Sequence, residues 1–330
     1  MNIVAVVVTY NRLPLLKKCL SAVDNQTRKP DQVLVINNGS TDGTSEWLQT
    51  QPYSTYTFEN MGGAAGFSNG IKQAYEAGAD WIWVMDDDTI PNPDALERLE
   101  EALVYLKPNL KRVGFLSSRV LWTDGSIHNM NRILPMQDPQ KLTAYTFTDK
   151  YSPVRNGTFV SMLIAAKAVE QVGLPFKEFF IWCDDVEYSK RIIKSGLSGL
   201  YVEDSVVIHE TPTNHRSNVL KDPQGAIWKY EHGLRNELFM VRLHEGEVRF
   251  WYAWLKRMVV WPWHIVLKRK NHRWAFIKMV WKSSIKAILF YPTITKVMRQ
   301  PTVKTTESIT NKHSFLSMLL ISNGVLQLVV

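Results

Sequence analysis

The sequence predicts an α/β fold: a mostly parallel sheet covered by helices, followed by a helical, basic, tryptophan-rich C-terminal region. Three observations carry this. "IVAVVVTY" (3–10), "DQVLVINN" (31–38) and "DWIWVMD" (80–86) are apolar runs without alternation, the mark of strands buried on both faces. Segments with helical spacing separate them, giving a strand–helix–strand–helix order. After about Asn214 the composition shifts to tryptophan, lysine and arginine.

The elements follow in order. "LPLLKKCLSAVDNQ" (13–26) has the apolar spacing of a helix lying on the sheet. After the second strand, Ser40 or Thr41 can cap a helix in "STDGTSEWLQT", and Asp42 suits its first turn. The glycine-rich "NMGGAAGFSNG" (60–70) reads as a loop leading into the helix "IKQAYEAGA". "NPDALERLEEALVYL" (92–106) is a helix with Pro93 near its start. "RVGFLSSRVL" (112–121) and "GTFVSMLIAA" (157–166) read as strands, and the polar stretch 122–156 between them as a loop excursion. "DDVEYSKRIIKSG" (184–196) is a helix ended by Gly196, and "LYVEDSVVIHE" (200–210) is the last strand of the sheet. The expected division is a catalytic-type domain over 1–213, a helical region over 214–300 and a tail over 301–330.

Of 330 residues, 45% are hydrophobic, enough for a large core and against disorder. Cys19 and Cys183 lie far apart, neither a disulfide framework nor a zinc spacing, so a reducing compartment is expected. "MNIVAVVVTYNR" has no basic stretch before its apolar run and reads as a strand rather than a signal peptide. The net charge of +8 belongs to one segment: Val248 to Gln300 holds twelve Lys/Arg, no Asp or Glu, and six of the twelve tryptophans. The remainder is net acidic. The longest uncharged run in that segment, Met258 to Leu267, is too short to span a bilayer, and 314–330 is not expected to span one either.

Two acidic groups carry the chemistry. Asp86-Asp87-Asp88 ends the buried strand 80–86, where parallel sheets bind ligands. Side chains alternate along an extended chain, so Asp86 and Asp88 share a face and Asp87 turns away. Hard oxygen donors suit Mg²⁺ or Mn²⁺, which bridge to phosphates. The alternative is a solvated loop cap. The second group is Asp184, Asp185 and Glu187 after Trp182: acids at a helix start suit the dipole, and neighbouring carboxylates beside an aromatic wall also suit a general base. His209, ending the last strand, is either a structural histidine or a third ligand that Mn²⁺ accepts. The glycine stretch at 60–70 is neither a Walker loop nor a G-x-G-x-x-G fingerprint, though glycines there permit close backbone approach to a ligand.

Together and in this order, "VVVTYNR", "NNGSTDGTSEWL", "MDDDTIPNPDAL", "WCDDVE" and "VVIHE" resemble the family 2 glycosyltransferases, over roughly residues 3–210. The resemblance implies the GT-A fold, a Rossmann-like nucleotide-binding mixed sheet flanked by helices. "NMGGAAGF", the triple Asp and the Trp-x-Asp-Asp motif resemble the galactofuranosyltransferase branch, with rhamnosyltransferases close by. "KYEHGLRN" resembles a Tyr…Arg-Asn element of the same branch.

Carried over, the resemblance implies that Thr9, Tyr10, Asn11 and Arg12 hold the nucleotide with Asn37 and Asn38. Asn60, Gly62, Gly63 and Phe67 shape the nucleotide-sugar pocket, and Asp87 lies near the ribose or sugar. Asp86, Asp88 and His209 bind Mn²⁺ or Mg²⁺; Asp185 is the base, Asp184 orients the acceptor and Trp182 forms an acceptor wall. The family often has Asp where this chain has Asn37, which accepts from a uracil N3–H without charge assistance, so UDP and dTDP both stay open.

The implied reaction is inverting transfer of galactofuranose from UDP-galactofuranose to a lipid-linked cell-surface glycan such as an O-antigen or capsule. The rivals are rhamnosyl transfer from dTDP-rhamnose, a silent sugar-nucleotide- or glycan-binding protein, and a nucleotidyltransferase, for which "TYNRLPLLKK" is a poor triphosphate loop. For the basic tryptophan segment, a nucleic-acid face has no recognition motif behind it. A cytoplasmic, peripheral position on the inner face of the cell membrane is expected instead.

Overall fold

The computed structural model describes residues 1–137 and 148–298. Part of the 122–156 excursion and the whole 301–330 tail, with its apolar 314–330 stretch, lie outside the described residues.

A nine-stranded mixed sheet forms the centre. Its strands are β1 (Ile3–Thr9), β2 (Gln32–Asn37), β3 (Ser54–Thr57), β4 (Trp81–Asp86), β5 (Thr89–Pro91), β6 (Val113–Leu121), β7 (Ser152–Pro153), β8 (Met162–Ala165) and β9 (Ser198–His209). The order is β3-β2-β1-β4-β8-β6-β9-β5, with β7 pairing β9. β1, β2, β3 and β4 run parallel, and β8 is antiparallel to both β4 and β6. Every residue of β1 is buried, which is why its run of valines does not alternate with polar residues. The chain leaves β1 toward β2 on one side while β4 lies on the other. The crevice at the carboxyl ends of β1 and β4 is therefore the place where such a sheet takes a ligand.

Helices α1 (Leu13–Asp24), α2 (Thr44–Leu48), α3 (Gly63–Glu76), α4 (Ala95–Tyr105), α5 (Ala166–Val172) and α6 (Asp184–Lys194) belong to this part. Four expectations change. The glycine stretch is helix rather than loop, since α3 begins at Gly63. A Cβ on Gly66 would come within 2.5 Å of Val8, and one on Gly70 within 2.5 Å of Val6. These glycines let α3 lie close on β1. Second, neither Ser40 nor Thr41 caps α2; Asp42 stands ahead of the helix and accepts from the Thr44 hydroxyl and amide and from the Leu13 amide. Third, 157–166 holds only the four-residue β8. Fourth, β3 and β5 carry no sequence signal, being four and three residues long.

Three helices follow: α7 (Ile227–Glu245), α8 (Glu247–Lys268) and α9 (Arg273–Ile288). They pack on one another through Tyr230, Leu234, Ile265, Phe276 and Val280. α7 also meets the earlier elements, where Phe239 and Met240 bury against Phe176, Phe179 and Ala64. No helix among the described residues is long and apolar enough to cross a membrane.

Candidate active site

The turn after β4 builds one half of the site. Asp86 pairs in register with Val8, placing the three acids beside the loop that leaves β1. Asp87 turns toward that loop: it accepts from the Thr9 hydroxyl at 2.7 Å and from the Tyr10 amide at 3.3 Å. Asp86 ends β4 and Asp88 follows in the two-residue turn before β5, which brings their carboxylates near each other. β5 then pairs antiparallel with the end of β9, Thr89 opposite His209. This pairing brings the His209 Nε2 atom to 3.0 Å from Asp88 Oδ1, across 121 residues of sequence. His209 Nδ1 is 2.8 Å from Asn131 Oδ1, so Nδ1–H donates to the amide oxygen and Nε2 is left for Asp88 or a cation. The ring of His128 packs 4.6 Å from that of His209; burial and His209 push the His128 pKa down to about 4 and keep it neutral.

Charge at this turn is unbalanced. Burial, with Asp88 and Asp87 close by, pushes the Asp86 carboxyl well above its usual range, and burial raises Asp87 to about 6. Arg12 supplies one positive charge, 2.5 Å from Asp88 and 3.4 Å from Asp87, with half its side chain exposed. One ligand atom each from Asp86, Asp88 and His209 lies within 4.8 Å of the others. Two carboxylate oxygens and an imidazole, with negative charge in excess, fit a divalent cation of the Mg²⁺ or Mn²⁺ type.

The second half comes from the segment before α6. Phe180, Trp182 and Cys183 all have positive φ (66°, 65° and 72°), unusual for non-glycine residues. Each such residue costs on the order of 1–3 kcal/mol and persists only where its surroundings impose it. Here they do. Asn236 of α7 is fully buried, and its Nδ2 donates to the carbonyls of Phe179 (2.9 Å), Ile181 (3.2 Å) and Trp182 (3.0 Å). Arg235 donates to Asn236 Oδ1 and to the Glu178 carbonyl, each at 2.8 Å. A Cβ on Gly233 would sit 2.5 Å from the Trp182 ring, so that glycine lets the indole lie against α7. From the other side, a Cβ on Gly62 (φ 88°) would meet the Phe180 carbonyl oxygen at 2.1 Å, and the Ala64 amide donates to the same carbonyl.

This clamp sets Asp184 and Asp185 at the N-terminus of α6. Burial raises Asp184 to about 7, helped by Asp185, and burial raises Asp185 to about 6. The Val186 amide donates to Asp185 at 2.7 Å and fixes its carboxylate. Glu187 leaves the group. It is fully buried and paired with Arg191 at 2.8 Å, a structural ion pair inside α6. Asn236→Ala frees the three carbonyls and the strained turn, and is expected to lower kcat about 10–100-fold. Donor affinity stays near the wild-type value, because the residues around Asp86 are untouched; steady-state kinetics beside donor-binding calorimetry check this.

A cavity of about 830 Å³ joins the halves: Asp86, His209, Asp184, Asp185, Trp182, Gly63 and Phe67 all line it. Asn156 Oδ1 and Thr158 Oγ1 line it too, buried and without a hydrogen-bond partner among the described residues. Buried polar atoms are rarely left unpaired, so these two offer hydrogen bonds to a hydroxylated ligand. Thr9, Tyr10, Asn11, Arg12, Asn38, Asn60 and Asp87 do not line the cavity; they form the loops on the other side of the acidic turn. Asn60 accepts from the Gly62 amide and Asn38 donates to its carbonyl. Asn37 is fully buried; its Oδ1 accepts from the Ser40 amide (2.9 Å) and its Nδ2 donates to the Ser45 hydroxyl (2.8 Å), which holds the loop after β2. Asn131, Asn156 and Thr158 gave no sequence signal, because they stand in irregular chain without periodicity. "GLRN" was visible as a motif, without a role.

A mixed sheet with an Asp-x-Asp turn at its switch point, facing an acidic pair across one cavity, is the architecture of the GT-A fold. The comparisons agree. The family model "Glycosyl transferase family 2" matches residues 4–142. Galactofuranosyltransferase GlfT1 of Mycolicibacterium smegmatis is 33% identical over 219 residues, 58% of this chain and 66% of that protein, just under two thirds of its length. N-acetylglucosaminyl-diphospho-decaprenol L-rhamnosyltransferase of Mycobacterium tuberculosis is 25% identical over 76% of this chain and 88% of that protein. Among solved structures, the mannosyltransferase PcManGT of Pyrobaculum calidifontis in complex with GDP-Man and Mn²⁺ shares the fold, with a TM-score of 0.51 and 16% identity over 87% of this chain and 74% of that one. Over residues 4–142, less than half of its 330 residues, the chain is similar to the family 2 glycosyltransferases.

Proposed function

We propose that the protein is a metal-dependent, inverting glycosyltransferase that moves galactofuranose from UDP-galactofuranose to a hydroxyl of a lipid-linked cell-surface glycan. The observation that carries this is the single cavity with Asp86 and His209 at one place on its wall and Asp184 and Asp185 at another. The relatives supply the sugar and the carrier, through the galactofuranosyl transfer and the diphospho-decaprenol in their names.

Asp86, Asp88 and His209 would hold Mn²⁺ or Mg²⁺, and that ion would supply positive charge beside the leaving diphosphate. Arg12, half exposed beside Asp88, reaches the same phosphates, and the loops carrying Thr9, Tyr10, Asn11, Asn38, Asn60 and Asp87 take the nucleotide. Gly63 and Phe67 border the donor sugar. Trp182 forms a wall for the acceptor and Asp184 orients it. Asp185 takes the proton of the attacking hydroxyl. The oxygen attacks the anomeric carbon opposite the diphosphate, so one displacement inverts the configuration, and no carboxylate nucleophile is required.

A base works ionised, so its raised pKa sets the pH response. With Asp185 at about 6 and Asp184 at about 7, kcat/KM rises as pH climbs through 6 to 7 and levels off above that window. A pH–rate profile showing no loss well below 6 would contradict the assignment.

The exposed face of α8 supports a peripheral position at the cytoplasmic membrane surface. Tyr252, Leu255, Val259, Trp263 and Leu267 are 56–65% exposed. Their three- and four-residue spacing makes one apolar stripe, with Arg249 and Lys268 near the two ends of the same helix. Leu255→Glu/Trp263→Glu is expected to weaken binding to phosphatidylglycerol vesicles about tenfold or more, read by vesicle sedimentation.

The donor test offers UDP-galactofuranose, UDP-galactopyranose and dTDP-rhamnose to purified protein with Mn²⁺ and a membrane extract as acceptor. Nucleotide diphosphate release from UDP-galactofuranose alone is expected. Release only from dTDP-rhamnose would make the protein a rhamnosyltransferase, and release from none would make it a binding protein.

A further inference from the structure

The cavity changes sign along its length. Besides Asp86, Asp184 and Asp185, one further acid among the described residues lines it, Glu237, which is paired with Arg257, and the lining includes Arg216, Lys256 and His264. All three are exposed, and none has an ion pair or hydrogen bond among the described residues. Lys256 and His264 stand two turns apart on α8, and Trp261 and Ile265 of the same helix line the cavity between it and the core. The stripe of Leu255, Val259 and Trp263 runs along the neighbouring side of that helix. A molecule with a hydroxyl at Asp185 and an apolar chain on the stripe would meet these unpaired side chains on the way.

We propose that Arg216, Lys256 and His264 form a subsite for the diphosphate of a prenyl-diphosphate-linked acceptor, whose prenyl chain leaves along the Leu255–Val259–Trp263 stripe. The proposal rests on the transfer reading above and deepens it. Arg216 and Lys256 supply positive charge and His264 a ring N–H, a match for the phosphates of one lipid diphosphate. The acids at the inner end repel that group, so it stays at the mouth while the sugar enters. The subsite thus sets the depth to which the acceptor is inserted. The same chemistry occurs in anionic phospholipid headgroups, and the test separates the two.

Farnesyl diphosphate is titrated into the full chain in the presence of EDTA, which leaves no cation at Asp86 to attract it. Calorimetry compares the wild type, Arg216→Ala/Lys256→Ala and Lys256→Arg. Farnesol and phosphatidylglycerol vesicles form the other arms. The double variant is expected to bind farnesyl diphosphate about tenfold or more weakly, with Lys256→Arg close to wild type. Farnesol and vesicle binding should not change. Equal affinity in wild type and double variant overturns the proposal, as does a wild type that does not bind the probe. A parallel loss of vesicle binding also overturns it and assigns the cations to phospholipid. The measurement uses neither donor nor transfer, so its failure leaves the transfer reading standing, and failure of transfer leaves this result standing.

Discussion

Asp185→Asn is expected to reduce transfer about 10³-fold or more, within the range for loss of a general base, while donor binding persists. Asparagine keeps the shape, so the Val186 amide still has an oxygen to meet, as it meets Asp185 now at 2.7 Å. What disappears is the capacity to take a proton. Two influences oppose each other at this carboxyl: burial raises its pKa to about 6, and backbone amides at the start of α6 hold it down. The result is a carboxylate that is ionised at neutral pH yet still able to accept a proton. Donor affinity should hold because the acidic turn after β4 comes from a different part of the chain. If the variant kept most of its activity while Asp184→Asn lost it, the base would be Asp184, which burial and Asp185 raise to about 7. Glu187 is no candidate, since Arg191 pairs with it in the core.

The second large effect belongs to Asp86→Asn. Asp86 belongs to the group formed with Asp88 and His209 and also lines the cavity that reaches Asp184. Removing its charge would weaken the cation site and, with it, the positive charge that would offset charge building on the diphosphate. A loss of about 10²–10³ in kcat/KM is expected, with a higher Mn²⁺ concentration for half-maximal rate. The fold should survive, because the Asp86 carboxyl is itself destabilised by burial beside Asp88 and Asp87. Thermal melts of both proteins in EDTA check that point.

The sheet centre was legible because β1, β2 and β4 are buried on both faces and their sequences show it directly. The Asp triplet was legible as three acids ending a buried strand; the two-residue turn at 87–88 sends Asp87 toward Thr9 and leaves Asp86 and Asp88 together. What stayed hidden depends on pairing between distant segments. The three-residue β5 is too short to read, yet its register with β9 sets His209 against Asp88. Asn131 lies in irregular chain, and only the fold brings it to the His209 ring. The positive-φ turn at 180–183 has no local cause; Asn236 imposes it from α7. The glycine stretch misled because its glycines serve helix-to-strand and helix-to-turn packing, and only Gly63 borders the cavity.

The account rests on a divalent cation joining the Asp86–Asp88–His209 group to a nucleotide diphosphate. Calorimetric titration of UDP and dTDP into chelator-stripped protein, with and without added Mn²⁺, tests it most directly. One nucleotide should bind only when Mn²⁺ is present, and Asp86→Asn should lose that dependence along with the affinity. Equal binding of the nucleotide in EDTA and in Mn²⁺ would contradict the account.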